Sequence, residues 1–174
     1  MNGTESLCEA LSLDVDDAVW TRRDRFDPAA VALADRHYSR EKPGTPQVGG
    51  PGFILVFVTP CERAAWISKR HAPEQFNGKR NRATADGFQG YRCGLFRNES
   101  NHLASDLIVA AVELTEELWG LSAHGWLTYV DKSKVASRNP GYCFKKAGWI
   151  LDRGFVHPRL VRLTLPPTAK AVAA

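Results

Sequence analysis

Apolar and polar positions alternate between two periods along this chain. FILVFVT (53–59) and GWLTYV (125–130) are continuous apolar runs too short for helices, the pattern of strands buried on both faces. After the turn PCER, AAWIS (64–68) reads as the hairpin partner of the first run, and YRCGLFRN (91–98) as a further strand. AVWTRRDRF (18–26) reads as an opening strand, and WILDRGFV with RLVRLTL as a closing strand pair. A longer period runs through HLASDLIVAAVELTEELWG (102–120), where Leu103, Leu107, Ala110, Ala111, Leu114 and Leu118 share one helical face and Gly120 ends the helix. Asp27-Pro28 supplies an N-cap and a first helical residue for a helix over 28–40, which must stop before Pro43-Gly44. In SRNPGYCFKKAGW (137–149) a turn at Asn139-Pro140-Gly141 leads into a helix of two turns with a glycine stop. Strand, helix, hairpin, strand, long helix, strand, short helix and strand make an α/β sandwich.

Between these blocks lie two irregular stretches. PGTPQVGGPG (43–52) is almost all turn residues, a loop long enough to carry function. Residues 69–90 hold Lys69, Arg70, Lys79, Arg80 and Arg82 with few apolar residues to bury, an irregular basic excursion. Residues 1–17 are acidic and weakly patterned, and 166–174 have the composition of a chain end.

Composition narrows the picture modestly. A chain of 174 residues with 44% hydrophobic content suits one domain over residues 1–174. A formal charge of +4 is compatible with a polyanionic partner without demanding one. Cys8, Cys61, Cys93 and Cys143 lie far apart, so neither a zinc knuckle nor a disulfide framework is expected. No apolar run is long enough for a membrane span, and the acidic opening lacks the basic start of a signal peptide, so a cytoplasmic protein is expected.

Asp131 follows an apolar strand directly, where α/β sheets place working side chains, and a carboxylate there can orient or deprotonate an amine; it can equally serve the turn before Lys132-Ser133. His37 and Tyr38 precede the Gly/Pro loop and can line an acceptor pocket, or His37 can simply answer a helix dipole. No second metal ligand stands at diagnostic spacing from His37, so any metal is left open. Lys69, Arg70, Lys79, Arg80 and Arg82, with Lys132, Lys134, Arg138, Lys145 and Lys146, form either one phosphate-binding surface or a solvated face. Phe76, Phe88 and Tyr91 are available to stack on a base.

The order of elements, with a short helix ending in Ala-Gly-aromatic, resembles the GNAT acyltransferase superfamily. Its divergent branch of phage Mom DNA-modification proteins is closer, on His37-Tyr38 in RHYSR, Arg97-Asn98-Glu99-Ser100 and Ser105 in RNESNHLASDLI, Tyr129 and Asp131 in TYVD, and Gly141-Tyr142 in GYCFKKAGW. The resemblance implies a mixed, mostly antiparallel sheet flanked by helices, two central strands that splay, and a long helix whose N-terminus faces a cofactor pyrophosphate. It further implies modification of the exocyclic amine of adenine in double-stranded phage DNA, as protection from restriction. Asp131, Ser105 and Tyr142 are then the catalytic candidates, and His37, Tyr38, Arg97, Asn98, Tyr129 and Asn139 the substrate-binding ones. Two departures stand out. The pyrophosphate loop falls on Glu99–Ala104, where only Ala104 fits and Ser100 or Asn101 can act as a plain helix cap. The tyrosine that would protonate a leaving thiolate is Phe144, with Tyr142 two residues earlier. A CoA-type donor is therefore compatible with a degenerate loop only. Two alternatives stay open: an acetyl-CoA-dependent N-acetyltransferase acting on a small amine or protein, and a non-catalytic nucleic-acid-binding module. The oligomeric state, a homodimer included, is also open.

Overall fold

The computed structural model describes residues 18–50, 52–70 and 86–168. Among these, seven strands form one open sheet in the order β1-β2-β3-β4-β5-β7-β6, with three helices packed on it. The strands are β1 (Thr21–Arg23), β2 (Phe53–Val58), β3 (Ala64–Arg70), β4 (Tyr91–Asn98), β5 (Trp126–Asp131), β6 (Ile150–Leu151) and β7 (Leu160–Leu165). The helices are α1 (Pro28–Asp35), α2 (Ala104–Trp119) and α3 (Tyr142–Lys146). Every neighbouring pair is antiparallel except β4 and β5.

That parallel pair shapes the molecule. The strands meet only at Tyr91 with Trp126 and Arg92 with Leu127, and diverge beyond. Two forces pull them apart. Strand β5 is bonded along its whole length to β7, from Trp126 with Leu165 to Asp131 with Leu160. Strand β4 bends toward β3 at a bulge, because Ile67 pairs with Leu95 and the next residue, Ser68, with Cys93, leaving Gly94 as the extra residue.

The two faces differ. On one, α2 and α3 cover Leu55, Phe57, Trp66, Cys93, Trp126, Val130 and Leu163. On the other, α1 and Val48 cover Val56, Val58, Ala65, Ile67 and Leu95, and among the described residues the cover stops there.

Several elements differ from expectation for physical reasons. Helix α1 ends at Asp35 rather than near residue 40. The Asp35 carboxylate accepts from Arg40 Nε at 2.8 Å and from the Gly44 amide at 2.8 Å, drawing the chain back into a turn. In α2 the buried stripe is Ser105, Leu107, Ile108, Ala111, Val112 and Thr115. Leu103 and Leu118 of the expected face are 65% and 43% exposed. The helix is rotated because a buried hydroxyl chain fixes it: Thr115 Oγ1 lies 2.6 Å from Ser68 Oγ, which accepts from Trp66 Nε1 at 2.7 Å. No side chain caps α2 at Leu103, so neither Ser100 nor Asn101 plays that part. The opening strand shrinks to three residues, and β7 pairs with β5 as well as with a two-residue β6. The short helix lies where the sequence places it but, at five residues, is shorter than the two turns expected; it is entered through left-handed Gly141 (φ 72°) and left at Gly148 (φ 86°).

Candidate functional site

Where β4 and β5 part, a cavity of about 250 Å³ opens on the α1 face. Its walls include His37, Tyr38, Cys93, Thr128, Tyr129 and Phe144. It exists because the fork leaves no strand between Cys93 and Thr128, whose only cross-link is the Thr128 hydroxyl donating to the Cys93 carbonyl at 3.3 Å.

His37-Tyr38 spans the mouth of this fork. The imidazole hydrogen-bonds the Phe96 backbone of β4, and burial beside the Arg97 guanidinium pushes its pKa down to about 4. Its Nδ1 accepts from the Ser39 amide at 3.2 Å and contacts Ser39 Oγ at 2.7 Å. His37 is therefore neutral at physiological pH with both ring nitrogens engaged, which suits an anchor more than a base. The Tyr38 ring stacks on His37 with centroids 4.3 Å apart, and its hydroxyl accepts a long bond from the Asp131 amide of β5 at 3.4 Å. One dipeptide thus ties together the two strand ends that the sheet itself leaves apart.

Asp131 stands at this end of β5, 5% exposed. Its Oδ1 accepts from the Ser133 hydroxyl at 2.6 Å and amide at 2.9 Å, and its Oδ2 from Arg159 at 2.9 Å. The Ser133 bonds foremost, then Arg159, hold its carboxyl below the usual range. A carboxylate so satisfied orients the strand end and is a weak proton acceptor.

The other wall is Tyr129, whose hydroxyl donates to Asp86 Oδ2 at 2.7 Å and whose ring packs on Phe155 at 5.4 Å. Asp86 is also bonded by Arg92, and that pair together with Tyr129 holds its carboxyl well below the ordinary value. Cys93 is buried, and burial pushes its thiol pKa up, so it is no thiolate nucleophile.

The remaining sequence candidates go elsewhere. Ser105 is buried in the first turn of α2, its hydroxyl 3.3 Å from Asp106, and does not line the cavity. Tyr142 is 52% exposed beneath Lys146, while Phe144 reaches the cavity in its place. Asn139 accepts from Lys145 and from the Tyr142 amide, outside the cavity. Arg97 joins Arg36 on Glu99, clamping α1 to the end of β4. Asn98 accepts from the Ser100 amide and hydroxyl and donates to the His102 carbonyl, so the 98–102 loop satisfies itself. Lys69 lines the cavity, and Arg70 stacks on Phe53 and Trp119 at 4.9 and 5.0 Å. Lys79, Arg80, Arg82 and Phe76 lie outside the described residues.

Sequence reasoning passed over Gly94, Cys93, Thr128 and Asp86. A lone glycine inside the strand pattern YRCGLFRN was the one available signal, since such a glycine marks a bulge. Among the described residues no three His, Cys, Asp or Glu side chains gather to hold a metal, and no helix is long and apolar enough to cross a membrane. Compared with known proteins, the chain matches no family model, no curated protein and no solved structure.

Proposed function

We propose that this chain is a GNAT-like transferase of the Mom type, modifying the exocyclic amine of adenine in double-stranded phage DNA and so protecting it from restriction in the host cytoplasm. The observation that carries the reading is the cavity in the fork of β4 and β5, with the His37-Tyr38 pair and Tyr129 around it. An enzyme that acts on a base amine must take the base out of the stack and hold its flat faces against apolar or aromatic surfaces. At about 250 Å³ the cavity suits one ring system rather than a whole cofactor, since drug-sized sites begin at about 300 Å³. Within this reading Tyr38 and Tyr129 hold the base, and Asp131 and His37 keep the fork open at a fixed width.

Nucleoside mass spectrometry of DNA from cells expressing the protein tests it. A mass-shifted deoxyadenosine is expected, and unaltered nucleosides would overturn the reading. Acetyl-CoA should bind weakly, because the polar groups of 98–102 are spent on one another. A micromolar dissociation constant by calorimetry, together with acetyl transfer to a small amine, would instead favour an N-acetyltransferase. A second reading, a nucleic-acid-binding module without activity, is favoured by Phe144 at the place of the expected acid and by the satisfied Asp131. It predicts DNA affinity with no altered nucleoside.

A further inference from the structure

Beside the fork lies a second, larger cavity of about 550 Å³ on the α1 face, walled by residues of 45–50 with Gly52 and Phe53 and by the ends of β3 and β4. The two cavities share Ser39, Lys69, Arg92, Gly94 and Leu95. We propose that this basin binds the phosphate of a small phosphorylated molecule, with Lys69 as its main charge partner.

Lys69 is the central observation. Half-buried in the wall between the cavities, it makes no side-chain hydrogen bond or ion pair among the described residues. Its stem lies flat across the bulge, where a Cβ on Gly94 would stand 2.5 Å from Lys69 Cε. The missing side chain at Gly94 is what lets the ammonium sit there. A cation withdrawn from water without an acceptor is disfavoured, and burial duly lowers the pKa of Lys69. A bound anion removes that penalty.

The surroundings favour the same ligand. Arg40, Lys42, Arg70 and Arg92 join Lys69 on the lining, against Glu41 as its acidic member. Asp35 and Asp86 pair with Arg40 and Arg92, which leaves the lining positive after both are counted. Carbonyl oxygens that would repel an anion are tied back by two arginines. Arg25 donates to the carbonyls of Gly50 and Gly52 at 3.2 and 3.1 Å, and Arg40 to those of Gln47 and Thr45 at 2.9 and 2.6 Å. The volume falls within the range of about 300–1,000 Å³ typical of small-molecule sites. A polymer backbone asks for an open track rather than a basin, so the ligand is a small phosphorylated molecule, seated next to the place where the base is held.

The experiment titrates inorganic pyrophosphate and ADP separately into the full chain at low salt, by calorimetry. Saturable one-to-one binding of at least one is expected. Lys69→Met should weaken it about tenfold or more, the scale of one charge-assisted contact. Lys69→Arg should retain binding, and Gly94→Ala, which displaces the lysine stem, should weaken it. No saturable binding, or equal affinity in Lys69→Met, overturns the proposal. A short adenine-free duplex provides the second arm. Loss of duplex affinity in Lys69→Met by the same factor as pyrophosphate affinity would assign the basin to the nucleic-acid backbone and overturn the small-molecule assignment; unchanged duplex affinity supports it. None of these readouts depends on base modification, so failure of the DNA reading leaves them intact.

Discussion

The two faces of the sheet are built from different materials. On the α2 face, Trp66, Trp126, Phe144 and Trp149 form a continuous ring network with centroids 5.1 to 6.3 Å apart. On the α1 face, among the described residues, a helix of eight residues covers the β2–β4 side with aliphatic contacts, and beyond it lie ion pairs, isolated ring pairs such as Tyr129 with Phe155, and cavity. The contrast shows a division of labour: dry aromatic packing on one face holds the strands, and the other face can leave a forked sheet open and keep a lysine that has no acceptor among the described residues. Burial of apolar area carries the stability that such polar arrangements reduce.

The largest test of this contrast lies on the packed face. Trp66 is fully buried against Phe96, Trp126 and Phe144, and its indole N–H completes the Ser68–Thr115 chain. Trp66→Ala should cost about 3–5 kcal/mol in urea unfolding. A loss below about 1 kcal/mol, the size of an ordinary surface change, would erase the proposed division.

Next comes acid stability on the open face. His37 has its pKa depressed from 6.5 to about 4, so the unfolded chain binds more protons between those values. The contribution of neutral His37 is fully present above pH 6.5 and disappears as pH falls toward 4. It amounts to less than the roughly 3.4 kcal/mol that such a shift would give a fully buried group, because His37 is only half-buried and solvent screens it. His37→Gln should flatten the stability profile across that window, and a profile unchanged in shape would show that the imidazole does not tie the fork.

Lys69→Met should raise stability by about 1 kcal/mol, because an apolar chain of similar length replaces a half-buried cation that has no acceptor among the described residues. Destabilisation would mean that the ammonium is satisfied in solution by a partner it lacks here.

Smallest is the effect expected at Asp131. Asp131→Asn keeps an acceptor for Ser133 and loses the charge that meets Arg159, a residue whose side chain is 64% exposed, so the stability change should stay near or below about 1 kcal/mol. If the DNA reading holds, modification should fall by less than the roughly 100-fold that loss of a general base brings. A larger fall in a folded variant would restore Asp131 as the base.

Local pattern alone determined much of this protein. Strand β4 falls where alternation and turn signals place it, at 91–98, and Gly120 ends α2 with its amide on the Glu116 carbonyl, as a glycine in that position should. The short helix was legible because Gly141 and Gly148 bracket it, and the 43–52 loop because its glycines and prolines exclude other structure. That His37-Tyr38 and Tyr129 meet around one cavity could not be read from local pattern, since nothing local links residues so far apart in the chain. Tertiary structure decided the rest. The roles of Asp131 and Arg97 depend on which oxygens and guanidinium groups arrive from distant segments, Arg159 in one case and Arg36 with Glu99 in the other. The face that α2 buries was set by Ser68 on β3, a hydrogen bond across 47 residues that overrides the apolar count along the helix. Periodicity reports which residues prefer burial, whereas charge neutralisation and strand divergence are properties of what the folded chain brings near, and those exist only once β5 has chosen β7 and left β4 beyond Arg92.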